Sequence, residues 1–215
     1  MRMNLGRLIV AFIAATTLTA ARANATTLTF NLDQSATGPT GNGGTVTIDD
    51  AIANTVHILV TLNPGYEFVK TGAGDALAFN ISGDPAITIA SITSGFVLGP
   101  TNVSESPFGK FNYSVSCTTG CGNGGSNPNP GPLSFDVQLT GVTVLQFVGS
   151  TKGYYFASDL IGPGPEGAPR TGNMASLGPN NSTTDVAAVP EPASLTLLGT
   201  GLMFVGQRLR RRRSS

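Results

Sequence analysis

The chain has 215 residues, with 28 Gly and 14 Pro, 40% hydrophobic and only 11% charged residues, and zero formal net charge. Glycine and proline stand well above their usual ~12%, and this hydrophobicity excludes a charge-extended disordered chain. Eight of the twelve basic residues lie at the two ends, so residues 26–189 hold four cations (Lys70, Lys110, Lys152, Arg170) against eleven carboxylates. A body this acidic is repelled by phosphate backbones, which argues against nucleic acid as a partner.

Residues 1–25 read as a signal peptide. Arg2 and Arg7 supply the positive start, and Leu8 to Leu18 the apolar middle. Ala23-Asn24-Ala25 supplies a cleavage site of the A-x-A form that leaves Thr26 as the mature start. Ala21-Arg22-Ala23 is a poorer site two residues earlier. The alternative is a retained membrane helix, which needs ~20 apolar residues where this run offers about eleven.

Beyond Thr26 the apolar period is two rather than 3.6. Thr26 to Leu32, Thr45 to Ile48 and Val56 to Leu62 alternate as half-buried strands do. Further strands are predicted at Tyr66 to Val69, Leu77 to Ile81, Ala86 to Ile92, Phe96 to Leu98, Phe111 to Cys117, Leu133 to Leu139, Val142 to Val148 and Tyr154 to Leu160. Asn63-Pro64-Gly65, Gly83-Asp84-Pro85 and Asp49-Asp50 read as turns. Gly120 to Pro132 and Gly162 to Pro169 read as loops. With no capped amphipathic run of ten residues, residues 26–175 are expected to form one all-β domain, a β-sandwich or jelly-roll-like body. Residues 176–188, low in hydrophobicity, read as a flexible linker.

Cys117 and Cys121 are the only cysteines. An exported chain meets an oxidising compartment, so a disulfide is expected. Four extended residues span ~13 Å where a disulfide needs roughly 4.4–6.8 Å, so Cys117-Thr-Thr-Gly-Cys121 must turn.

The C-terminal residues 189–215 hold three parts in order: Pro190-Glu191-Pro192, an apolar run from Leu195 to Gly206, and Arg208, Arg210, Arg211, Arg212 and Arg213. As a helix the run spans only about 20 Å of a ~30 Å hydrocarbon core, a weak permanent anchor. The arginines stop it on the cytoplasmic side, which leaves the body outside. The tail resembles the PEP-CTERM sorting signal, with Pro190, Glu191 and Pro192 matching the triplet residue for residue. The resemblance implies export in a Gram-negative bacterium that makes extracellular polysaccharide, transient membrane anchoring, and processing by signal peptidase and an exosortase. An ordinary C-terminal anchor is the alternative. The block Tyr113 to Leu133, with Gly153 to Asp159 and Thr171 to Asn173, is similar to a body type recurrent among PEP-CTERM proteins of unassigned function, and implies no activity.

Chemistry is sparse. Gly120, Gly122 and Gly125 fit the literal dinucleotide pattern, but Ser126-Asn-Pro-Asn-Pro follows where a helix is required, so no cofactor is expected. His57, the only histidine, sits in a strand and faces away from Val56 and Ile58, and there is no G-x-S-x-G elbow to complete a triad. Asp49, Asp50, Glu67, Asp136 and Asp159 are the carboxylates available for glycoside hydrolysis, with nothing to pair them. Asp159 with Asn173 or Asp136 suits a calcium site, although there is no D-x-D-x-D-G loop. Tyr66, Tyr113, Tyr154 and Tyr155 are the aromatic candidates for sugar contact. These observations favour a non-catalytic structural or adhesive protein of the cell surface or extracellular matrix. The alternatives, in order, are a glycan- or calcium-binding module, with exopolysaccharide as partner, and a secreted hydrolase.

Overall fold

The structure, a computed structural model, describes residues 25–72, 74–118, 121 and 125–185. The signal and membrane helices expected in 1–25 and 189–215, with cleavage residue Ala23, the sorting triplet and the terminal arginines, lie outside the described residues; Ala25 lies within them. No helix among the described residues is long and apolar enough to cross a membrane.

All-β is what the described residues show. The strands are β1 (Ala25–Asn31), β2 (Gln34–Ser35), β3 (Gly44–Ile52), β4 (Thr55–Leu62), β5 (Glu67–Phe68), β6 (Leu77–Ile81), β7 (Thr88–Ala90) and β8 (Phe96–Leu98). They continue with β9 (Val103–Glu105), β10 (Gly109–Phe111), β11 (Tyr113–Cys117), β12 (Leu133–Gln138), β13 (Phe147–Val148), β14 (Phe156–Pro163), β15 (Pro169–Ser176) and β16 (Pro179–Asp185). One sheet runs β16-β1-β3-β4-β12-β7. The other runs β2-β15-β14-β6-β11-β8, with β13 joined to β6 and β5 to β14. β9 and β10 form a separate hairpin, and every strand pair is antiparallel.

Register follows from the alternation. Leu28 pairs with Ile48, Ile48 with Ile58, and Ile58 with Phe135, so one apolar row crosses four strands of the first sheet. Its counterpart on the second sheet is Leu77, Phe79, Val115, Phe156 and Leu160, all fully buried. The two inner faces meet at Phe30 and Phe156, ring centroids 4.9 Å apart, and at Phe79 and Phe135, 5.8 Å apart. Each such side chain contributes about 1.5–3 kcal/mol by leaving water, which is where this chain's stability resides.

The second sheet is covered on its other face as well. Ala78, Ala157 and Ala175 are small enough to admit the β9–β10 hairpin, which sets Val103, Phe108 and Phe111 upon them as a second apolar cluster. Every residue of Leu77–Ile81 is therefore buried, although the strand alternates in direction.

Four local expectations change. Val142 to Val148 is not a strand throughout: residues Val144–Gln146 form a 3₁₀ turn before the two-residue β13. Thr143 N–H donates to Gln146 Oε1 at 2.9 Å and Val144 N–H to Asp50 Oδ2 at 3.2 Å, which holds that turn. Asp49 and Asp50 lie inside β3, at a bulge, rather than in a turn. The loop expected at Gly162 to Pro169 is shorter, since Gly162 and Pro163 end β14 and Pro169 opens β15. Finally, the stretch 176–188 is not a linker along its whole length, because Pro179–Asp185 pairs with β1 as an edge strand. Backbone pairing satisfies N–H and C=O groups whatever the side chains are, so polar Asn and Thr residues join a sheet without apolar alternation.

Cys117 closes β11 and lies 5.5 Å, Cα to Cα, from Cys121, at disulfide distance, with the turn made by Cys121 N–H donating to Thr118 O. So short a ring removes little chain entropy. Replacing both cysteines by Ala is expected to lower the unfolding free energy by only ~2 kcal/mol. A denaturant titration of the double variant checks this, and a loss well above that value would mean the bridge shapes the Gly-rich loop beyond it.

Candidate functional site

The polar centre of the body lies on the outer face of the second sheet, beneath the β9–β10 hairpin. Strand parity puts Asp159 and Asn173 side by side there, as directly opposed residues of β14 and β15. Ser116 of β11 shares that outer face, since Val115 belongs to the core. Asp75 enters from the segment before β6, its carbonyl accepting the Asp159 N–H at 2.9 Å. Glu105 comes from the hairpin itself, on the same face of β9 as the buried Val103. Asp75, Glu105 and Asp159 are all essentially inaccessible to solvent, at 1%, 0% and 0%.

Asp159 is held by Thr71, whose N–H donates to Oδ2 and whose hydroxyl lies 2.6 Å from Oδ2 and 2.8 Å from Oδ1. Asp75 Oδ1 accepts from the Ser116 hydroxyl and faces Lys70 Nζ at 3.5 Å. Glu105 Oε1 accepts the Asp75 N–H at 3.0 Å. The remaining oxygens, Asp75 Oδ2 and Glu105 Oε2, are buried without a hydrogen-bond partner. Space is tight: a Cβ on Gly74 would stand 2.7 Å from Asp159 Oδ2 and 2.8 Å from Asn173 Oδ1, so only glycine fits. Burial pushes the Glu105 carboxyl up to about 8; the Asp75 N–H and Lys70 oppose this, and the charges of Asp75 and Asp159 add to it. Burial likewise raises Asp159 to about 6, against the hydrogen bonds from Thr71. Among the described residues no three His, Cys, Asp or Glu side chains converge as a ready-made metal centre.

Of the pairings read from sequence, the structure brings Asp159 to Asn173 and leaves Asp136 on the other sheet. Asp136 instead faces His57, Nδ1 to Oδ1 2.8 Å, on the solvent side of β12 and β4, with Asp49 directly opposite His57 on β3. Burial alone would raise the Asp136 carboxyl, but hydrogen bonds from His57 and Ser91 and the His57 charge hold it lower. Asp50 accepts the Thr26 N–H at 2.7 Å. Glu67 sits in β5 opposite Ile161. Asp75 and Glu105 were not singled out in the sequence; the one signal for Glu105 is that Val103-Ser104-Glu105 puts it on the face of a buried valine.

The tyrosines are committed to packing. Tyr66 is buried with its hydroxyl on Thr40 O, and Tyr113 stacks on Phe79 at 5.5 Å with its hydroxyl on Pro85 O. Tyr154 packs on Phe108 at 4.8 Å and Tyr155 on Phe30 at 5.5 Å. One open groove among the described residues, about 420 Å³, is lined by Asn80, Ile81, Asp84, Lys110, Asn112 and Val148 among others.

Residues 188–213 match the PEP-CTERM protein-sorting motif. The chain therefore carries a PEP-CTERM sorting signal. The match spans the Pro190-Glu191-Pro192 triplet, the apolar run and the arginines as far as Arg213. A PEP-CTERM motif marks an exported protein that is sorted and processed by an exosortase and reaches the cell envelope or surface. No curated protein and no solved structure matches the chain.

Proposed function

We propose that the protein is a non-catalytic, structural or adhesive component of the cell surface or extracellular matrix of a Gram-negative bacterium, released from a transient membrane anchor by exosortase. The observation that carries this reading is the PEP-CTERM motif at residues 188–213. The body supports it. Its two sheets, read as a sandwich, commit their carboxylates to holding strands together: Asp50 to β1 and the 3₁₀ turn, Asp136 to His57, and Asp159 to Thr71. A typical glycoside hydrolase needs two carboxylates facing one another across an open cleft. Signal cleavage after Ala25 turns the Thr26 N–H into an ammonium facing Asp50, which strengthens that contact. The groove lined by Asn80, Asp84, Lys110 and Asn112 favours a second reading in which the same surface protein also contacts polysaccharide through polar groups.

The test is the mass and location of tagged protein in wild-type and exosortase-deleted cells. The expected wild-type product starts at Thr26, lacks Arg210 to Arg213 and leaves the membrane fraction. In the deletion strain, or after changing Pro190, Glu191 and Pro192 to Ala, it stays anchored at full tail length. A wild-type product that retains the arginines overturns the sorting reading. Depolymerisation of host polysaccharide that is lost on changing one carboxylate overturns the non-catalytic one.

A further inference from the structure

We propose that Asp50 is the receptor for the mature N-terminus: signal cleavage falls between Ala25 and Thr26, and the ammonium it creates docks on the Asp50 carboxylate. The inference deepens the export reading and rests on it. Of the two cleavage sites in the sequence, one ends at Ala23 and the other at Ala25. Hydrolysis of the Ala25–Thr26 peptide by water leaves a carboxylate on Ala25 and an ammonium on Thr26. That nitrogen already lies 2.7 Å from Asp50 Oδ1. Cleavage after Ala23 would put the ammonium on Asn24, up to about 7 Å further along the chain, and leave Thr26 a neutral amide.

Local structure explains why this carboxylate is there. Thr27 pairs with Asp49, so the start of β1 comes opposite Asp50, where the β3 ladder shifts register before Ile52. A bulge of this kind re-aims a side chain out of the regular alternation. Asp50 uses both oxygens, Oδ1 for the Thr26 nitrogen and Oδ2 for the Val144 N–H at 3.2 Å, so it ties β1 to the 3₁₀ turn. The residue is half-buried, where an ion pair is screened less than on the open surface. Asp49 on β3 and Asp185 on β16 are the other charged residues at neighbouring register positions, and the turn Val144–Gln146 carries none. Of the six register pairs between β1 and β16, cleavage removes Ala25 with Asp185 alone. The body thus acquires an ion pair when the signal leaves, and the uncleaved chain lacks it.

The test is N-terminal sequencing of the exported protein, purified from its host, followed by trace labelling of its α-amine across pH. The expected product begins at Thr26, and its α-amine titrates about one unit above the ordinary ~7.7. Asp50→Asn should return that value to about 7.7, while Asp33→Asn, a net-charge control beyond the far end of β1, leaves it raised. A raised value confers stability that is complete below the unfolded ~7.7 and lost as pH climbs past the folded value. The unfolding temperature of wild type should therefore exceed that of Asp50→Asn by about 2–4 °C near pH ~6, and this gap should close near pH ~10. Glu105 titrates within that range, but it does so in both chains and drops out of the difference. If Asp50→Asn does not fold, the wild-type labelling curve decides alone. A Thr26 amine that titrates at about 7.7, or one that Asp50→Asn leaves raised, overturns the inference and leaves the export reading standing. A product that begins at Asn24 does the same. A chain that keeps residues 1–25 overturns both.

Discussion

Phe79→Ala is expected to lower the unfolding free energy by about 3–5 kcal/mol, the largest single effect in the body. Phe79 is fully buried at the centre of β6, with ring centroids 5.5 Å from Tyr113, 5.8 Å from Phe135 and 5.7 Å from Phe147. Phe135 belongs to the other sheet, so the truncation removes a contact that joins the two layers as well as the transfer free energy of the ring. Protein interiors are packed too densely for the neighbours to fill such a hole. Denaturant titration against wild type measures the loss, with Ile52→Ala, at a side chain 67% exposed, as a control expected to change stability by less than about 0.5 kcal/mol. A loss below about 1 kcal/mol for Phe79→Ala would mean the sheets do not depend on this cluster.

The folded protein should lose stability as pH rises from about 4.5 to about 8. Glu105 moves from 4.5 in the unfolded chain to about 8 when folded, so the folded state keeps a proton that the unfolded state releases. Stability from this group is complete below the unfolded value and gone above the folded one. Asp159 acts in the same direction between 3.8 and about 6, and the groups facing Glu105 that tune its titration are Asp75, Asp159 and Lys70. The combined loss is on the order of a few kcal/mol. Glu105→Gln should flatten the upper part, from about pH 6 to 8, and leave the Asp159 part. Asp136 has the opposite sign, because its lowered value removes stability only as pH falls into the acid range. Stability that rises between pH 6 and 8 would show that Glu105 is ionised in the folded state.

How far these groups were legible differs residue by residue. His57 was placed on the outer side of its strand because Val56 and Ile58 flank it, and that parity holds. Asp159 and Asn173 were singled out together, and they pair across β14 and β15. Asp75 carries no local signal, being a lone acid after a glycine. Its burial depends on a hairpin that starts 28 residues later in the chain, and nothing near Asp75 encodes that. Val142 to Val148 alternates like a strand, but a carboxylate from β3 and the Gln146 side chain capture its backbone first.

The sequence by itself determined the destination and the class of fold. Sorting depends on a contiguous string, Pro190-Glu191-Pro192 with its apolar run and arginines, and a period-two alternation is local, so both are readable without a structure. Only the tertiary structure decided which polar residues share a pocket. That is set by which strands become neighbours and what covers the outer face, through contacts between residues far apart in the chain: Glu105 with Asp75, Asp159 with Thr71, and Asp136 with His57. The edge strand Pro179–Asp185 is of the same kind, since its place in the sheet comes from backbone hydrogen bonds to β1, which leave no mark on side-chain pattern.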